Sequence, residues 1–152
     1  MTAPDAAASR TVGHQPEEHP ARVASRRSMD AVGRRAKDEW VALFAEDAVI
    51  EDPVGPSHFS PDGSGQRGKQ AIADFWDASV GTAQKVAFTI ADSFACGDEV
   101  ANVGVITTTV DENVQVDAEG VFIYRVNAEG LIVSLRAFWE TDRAMATLRR
   151  PS

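Results

Sequence analysis

The feature that most restricts the fold is a change of period near Gly81. Beyond that glycine, β-branched and aromatic residues dominate, and Val86, Phe88, Ile90 and Phe94 alternate with Ala87, Thr89 and Ala91. Cys96-Gly97-Asp98-Glu99 turns the chain, and a second run follows from Val100 to Val110. Asp111-Glu112-Asn113 turns it again before a third run, Val114 to Val126, and Asn127-Ala128-Glu129-Gly130 introduces a fourth, Leu131 to Glu140. Runs of this length joined by such short turns predict a meander of four long antiparallel strands.

The half before Gly81 reads with helical spacing. From Ala21 to Gly33, Val23, Ala24, Ser28, Ala31 and Val32 make one weakly apolar stripe. A second helix is expected over Lys37 to Phe44, where Trp40, Val41 and Phe44 form a compact edge, and a third from Lys69 to Val80 places Ile72, Phe75, Trp76, Ser79 and Val80 on one face. Helices and one early strand followed by a meander give an α+β layout, with helices packed on one face of a curved sheet. One domain over 21–152 accounts for a chain of 152 residues, and the aperiodic segment 1–20, rich in Ala, Pro, His and Glu, reads as a disordered tail.

Several function classes are disfavoured. A net charge of -8 argues against nucleic acid or an anionic membrane as the main partner, and the arginines at 26, 27, 34 and 35 are interrupted by apolar and acidic positions. A single cysteine, Cys96, excludes an internal disulfide and any multi-thiolate metal site, and no histidine cluster has ligand spacing, so neither metal nor other cofactor is expected. No apolar run is long enough to cross a membrane and no leader-like segment opens the chain, so the cytoplasm is expected. Gly63 to Gln70 has the glycine spacing of a phosphate-binding loop with Lys69 in place, but Gln70 offers no hydroxyl for magnesium.

The chemistry points to Ala45-Glu46-Asp47-Ala48-Val49-Ile50-Glu51-Asp52-Pro53. In an extended chain Ala48, Ile50 and Asp52 share one face, so Asp52 follows apolar residues inward. A carboxylate at an apolar cavity mouth is desolvated, which raises its pKa and makes it a proton acceptor near neutral pH. An Asp-Pro pair also opens turns, and the residues alone leave both readings standing. The following loop, Gly55 to Gly65, is long enough for a rim, with Phe59 its one large apolar residue and His58 beside it.

The stretch Val41 to Gly55 closely resembles the signature of the ketosteroid isomerases, and Gly130 to Trp139 resembles the last strand of the same family. With the helix at Ala71 to Trp76, the likeness runs from about 21 to 140. It implies the cone-shaped fold shared with nuclear transport factor 2 and the SnoaL-type polyketide cyclases, a deep apolar pocket, a steroid-like or polyketide-like small-molecule ligand and a homodimer. By position the proton-transferring base is Asp52. The family's enolate-binding tyrosine and protonated aspartic acid fall at Ser28 and Phe122, and neither is matched here. Ligand contacts are expected from Ser28, Phe44, Phe59, Trp76, Phe122, Tyr124 and Trp139.

Four functions follow: an isomerase or related enolising lyase using Asp52 as base on an apolar ketone, a module that binds a steroid-like or polyketide-like ligand without chemistry, a SnoaL-type cyclase, and a water-activating hydrolase. The last needs an inward Asp-Arg-Asp set, whereas Arg125 and Arg136 alternate away from the pocket face. That face carries Ala118, Gly120, Phe122 and Tyr124 on one strand, with Leu131, Val133, Leu135, Ala137 and Trp139 on the next. The opposite face, with Ile132, Ser134, Arg136 and Phe138, is expected at the dimer interface.

Overall fold

The computed structural model describes residues 18–151. Helix α1 spans Pro20–Gly33 and helix α2 Lys37–Ala42, followed by strand β1, Phe44–Glu51. A two-residue strand β2, Gln66–Arg67, precedes helix α3, Lys69–Ala78. The meander is β3 (Lys85–Cys96), β4 (Glu99–Val110), β5 (Val114–Val126) and β6 (Ile132–Phe138), and a short helix α4, Thr141–Met145, follows. The six strands form one sheet in the order β2-β1-β6-β5-β4-β3. β1 lies parallel to β6, and the meander is antiparallel throughout.

The helices form where the periodicity places them, and their ends depart for local reasons. α1 starts at Pro20, a residue suited to the first turn because the amide hydrogen it lacks would have no helical partner. His19 caps it by accepting from the Ala21 amide at 3.1 Å, while its other ring nitrogen meets the Gly97 carbonyl at 2.8 Å. His19 and Pro20, expected in the tail, thus belong to the start of α1, and residues 1–17 of that expectation lie outside the described residues. α2 ends at Ala42 rather than Phe44, because the Ile132 amide takes the Leu43 carbonyl at 2.9 Å and draws Phe44 into the sheet. α3 ends before Val80, where Ser79 Oγ donates to the Phe75 carbonyl at 2.6 Å and a short 3-10 turn follows. The Gly68 amide is bound to the Ala48 carbonyl at 2.8 Å, so the glycine-rich stretch is not arranged as a phosphate cradle.

The ladders carry three register shifts, one of them between Phe44 and Val49 where β1 meets β6, and the other two overturn the simple alternation along the meander. Between Ile90 and Asp92 the β3–β4 register slips, and Phe94 moves to the convex face, where it is 61% exposed instead of facing inward with Phe88. A second slip, between Arg125 and Val126, leaves Val133 unpaired and turns Ile132 into the core with no exposure. Ile132 is therefore not part of an exposed convex surface, although Phe138 and Arg136 are. Arg136 lies over the Phe138 ring and pairs with Glu51 at 3.0 Å.

Curvature is set in the middle of the meander, where Gly104 and Gly120 face each other across β4 and β5. A Cβ at Gly104 would stand 2.3 Å from the Thr89 carbonyl oxygen, and one at Gly120 would stand 1.9 Å from that of Phe138. The flanking backbones come so close only because these residues have no side chain. Gly104→Ala should lower stability by about 1–3 kcal/mol or more, read as a denaturant midpoint, because Thr89 belongs to the paired strand and cannot withdraw without breaking its ladder.

Candidate active site

Helices α1, α2 and α3 cover the concave face without filling it, and a cavity of about 360 Å3 remains between them and β3–β6. Its wall is largely apolar, including Met29, Val32, Phe59, Phe75, Val86, Phe88, Ile106, Phe122 and Leu135. Few polar side chains enter it. That combination of an apolar hollow with a few converging polar groups is the usual form of a small-molecule site.

Asp52 lies on that wall just beyond β1, after the buried pair Ala48 and Ile50, as the alternation requires. Trp139, just past β6, donates its indole N–H to Asp52 Oδ1 at 2.6 Å. Desolvation pushes the Asp52 carboxyl above the usual aspartate range, and the Trp139 hydrogen bond partly opposes the shift by favouring the anion. The result is a carboxylate with one oxygen held and few other polar groups nearby.

A second polar group is shared between α1, α2 and β5. Trp40 Nε1 donates to Ser28 Oγ at 3.0 Å, and Ser28 Oγ lies 3.4 Å from the Tyr124 hydroxyl. Ser28 and Tyr124 are both buried. Burial pushes the Tyr124 phenol up to about 12, with the Ser28 contact acting in the opposite direction and the Asp52 charge adding to the rise.

Of the residues expected to contact a ligand, Ser28, Asp52, Phe59, Phe122, Tyr124 and Trp139 all line the cavity. Phe44 and Trp76 do not. They stand behind the wall, each packed against Trp40 with ring centroids 4.8 and 5.2 Å away, and Trp40 takes the place expected of them. The signal for Trp40 was available: a buried indole needs an acceptor for its N–H, and Ser28 is a polar residue on an otherwise apolar helix face. The α4 residues Thr141, Ala144 and Met145 also line the cavity, and no periodicity in so short a segment announced them. His58 is exposed and rests edge-on against Phe59, outside the cavity. Arg125 and Arg136 are exposed, away from the wall.

Comparison with known proteins places this geometry. A SnoaL-like domain pattern matches residues 25–135. The chain belongs to the SnoaL-like family. Within that family it is 32% identical over 121 residues to the steroid Delta-isomerase of Nocardioides simplex, covering 80% of this chain and 90% of that one. Among solved structures, the Delta 5-3-ketosteroid isomerase from Mycobacterium sp. superposes with a TM-score of 0.78 at 35% identity, over 87% of this chain and 98% of the other. RV0760c from Mycobacterium tuberculosis, solved in complex with estradiol-17beta-hemisuccinate, gives 0.78 at 36% identity, over 87% and 99%. The SnoaL-like architecture expected from the signature stretch is thus present from α1 to β6. Among the described residues no helix is long and apolar enough to cross a membrane.

The electrostatics of Asp52 have a measurable consequence. Its folded pKa exceeds its unfolded one, so the unfolded chain ionises first and stability falls as pH rises from the unfolded value through the folded one. Asp52→Asn should therefore raise Tm at neutral pH and give no gain below about pH 3, where both forms are protonated. Trp139→Phe should move the Asp52 titration to higher pH, followed by carboxyl NMR, because it removes the bond that favours the anion.

Proposed function

We propose that the protein moves a carbon–carbon double bond into conjugation with a ketone on a steroid-like substrate, with Asp52 carrying the proton. The observation that carries this reading is the carboxylate itself, desolvated in an apolar cavity and held by the Trp139 N–H at 2.6 Å. In the anionic form Asp52 takes a proton from the carbon between the carbonyl and the double bond, and the C–H electrons pass into a dienolate. The protonated Asp52 then returns that proton two carbons further along, and the carbonyl re-forms in conjugation with the new double bond. No redox partner is needed, since the proton borrowed is the proton returned. A raised pKa suits both halves of the cycle, because a base that binds its proton more firmly removes one from carbon more readily and still releases it. The relatedness to a steroid Delta-isomerase and to a protein crystallised with an estradiol ester supports a fused-ring substrate class. Water activation is disfavoured, because Arg125 and Arg136 lie outside the cavity and Arg136 is engaged with Glu51.

A binding module for the same class of molecule is the second reading. It is favoured by Phe122, which lines the cavity where the family's acid donor would be and offers no hydrogen bond. Asp52→Asn separates the two, since the amide keeps the shape and loses the basicity. On the isomerase reading it lowers conversion of a non-conjugated 3-ketosteroid to its enone by about 10²–10⁴-fold, measured by ultraviolet absorbance, with affinity nearly unchanged. Tight steroid binding with no turnover in either form would establish the binding reading instead.

A homodimer through the convex face belongs to the same proposal. Phe94, Val103 and Phe138 are exposed there, 61%, 37% and 42% respectively, an apolar surface that a second copy would cover. Sedimentation at micromolar concentration should give a dimer, and Phe138→Asp should shift it toward monomer; a wild-type monomer would count against it. A cytoplasmic setting is part of this reading, since the exposed free thiol of Cys96 suits a reducing interior.

A further inference from the structure

The cavity wall carries one hydroxyl proton that the protein does not use. Trp40 Nε1, Ser28 Oγ and Tyr124 Oη form a chain at 3.0 and 3.4 Å. An indole N–H only donates, whereas each hydroxyl brings one proton and two lone pairs. Three protons therefore enter the chain. Two are used in the Trp40–Ser28 and Ser28–Tyr124 contacts, and the third has no acceptor among the described residues. Ser28 and Tyr124 are only 2% and 4% exposed, so bulk water is a poor substitute. Both line the same cavity as Asp52.

Either hydroxyl can donate in the Ser28–Tyr124 contact, and the arrangement with Ser28 as donor is the one that leaves a free proton on Tyr124. The Trp40 hydrogen occupies one lone pair of Ser28, and a Ser28 proton turned toward Tyr124 makes three donors in series, each polarising the next. The phenol is also the more acidic hydroxyl and the stronger donor. Trp139 offers no competing donor, because its only N–H is held by Asp52 Oδ1. We infer that Tyr124, oriented through Ser28, donates to a carbonyl oxygen of the ligand, so that the cavity selects a ketone at the end that lies against Ser28, Tyr124 and Asp52. This rests on the reading of the cavity as a steroid-like site, but not on Asp52 as base. Burial pushes the phenol up to about 12, so Tyr124 keeps its proton through the neutral range. With Phe122 alongside it, the oxygen meets one donor rather than two.

The test uses a conjugated 3-ketosteroid labelled with 13C at the carbonyl, its 3-deoxy analogue, and isotope-edited infrared spectroscopy of the full-length protein. Bound to the wild type, the carbonyl stretch should lie below its value in an apolar solvent, and the ketone should bind about tenfold more tightly than the deoxy analogue. Tyr124→Phe, with near-UV circular dichroism confirming the fold, should return the stretch toward the solvent value and remove the preference. Ser28→Ala should keep a reduced shift, since the phenol proton remains but is no longer polarised. An unchanged stretch in Tyr124→Phe overturns the inference. So does equal wild-type affinity for the two steroids, absence of ketone binding, or a shift lost in Ser28→Ala and kept in Tyr124→Phe. Asp52→Asn should retain the shift; if it also retains turnover while Tyr124→Phe loses the shift, the Asp52 mechanism fails and the Tyr124 assignment stands.

Discussion

A sheet of four long strands encloses a hollow only if it curls, and here the curl depends on two backbones touching where side chains would ordinarily hold them apart. Gly104 and Gly120, partners across β4 and β5, let the Thr89 and Phe138 carbonyls approach within distances that no Cβ tolerates. The bulge at Ala91 lies beside the first of these contacts, and β3 bends there. Without that bend the concave face would be flatter and the helices would meet it directly. The cavity is thus a property of the sheet's shape before it is a property of its lining.

Once such a hollow exists, an apolar lining makes every polar atom inside it consequential, because few other partners are present and the local dielectric is low. Asp52 has one fixed donor, the Trp139 indole, and its pKa reflects the contest between burial and that bond. Ser28 and Tyr124 have each other and Trp40. The two groups come from different strands, Asp52 after β1 and Tyr124 from β5 with β6 between them, and the charge of one acts on the phenol of the other. A carboxylate and a phenol therefore share one largely apolar space.

Position 28 has a physical logic when the cavity is taken whole. A larger side chain there would fill the space where Ser28 meets Trp40 and Tyr124, so the small hydroxyl on α1 and the phenol on β5 are complementary. Phe122 offers no hydrogen bond, so the cavity wall at its side chain is apolar.

Much of this was legible in the sequence, because it depends on local period and chain order. The helices, the meander, the inward direction of Asp52 and the SnoaL-like architecture all follow from spacing or from the signature stretch, since side-chain period is fixed by backbone geometry within each element. What the sequence could not decide depends on pairing between distant segments. The capture of the Leu43 carbonyl by Ile132 moved Phe44 out of its helix, and one extra residue in each of two strands sent Phe94 outward and Ile132 inward. Phe44 and Trp76 went behind the wall, and Trp40 came forward, because the packing of three aromatic rings has no one-dimensional signature. The sequence by itself determined the first three helices, the meander and which carboxylate the apolar strand carries inward, but not the short β2 and α4. Only the tertiary structure decided which donor holds that carboxylate and which hydroxyls meet the Trp40 indole, because hydrogen-bond partners 12, 87 and 96 residues apart are chosen by the folded surface and not by their spacing in the chain.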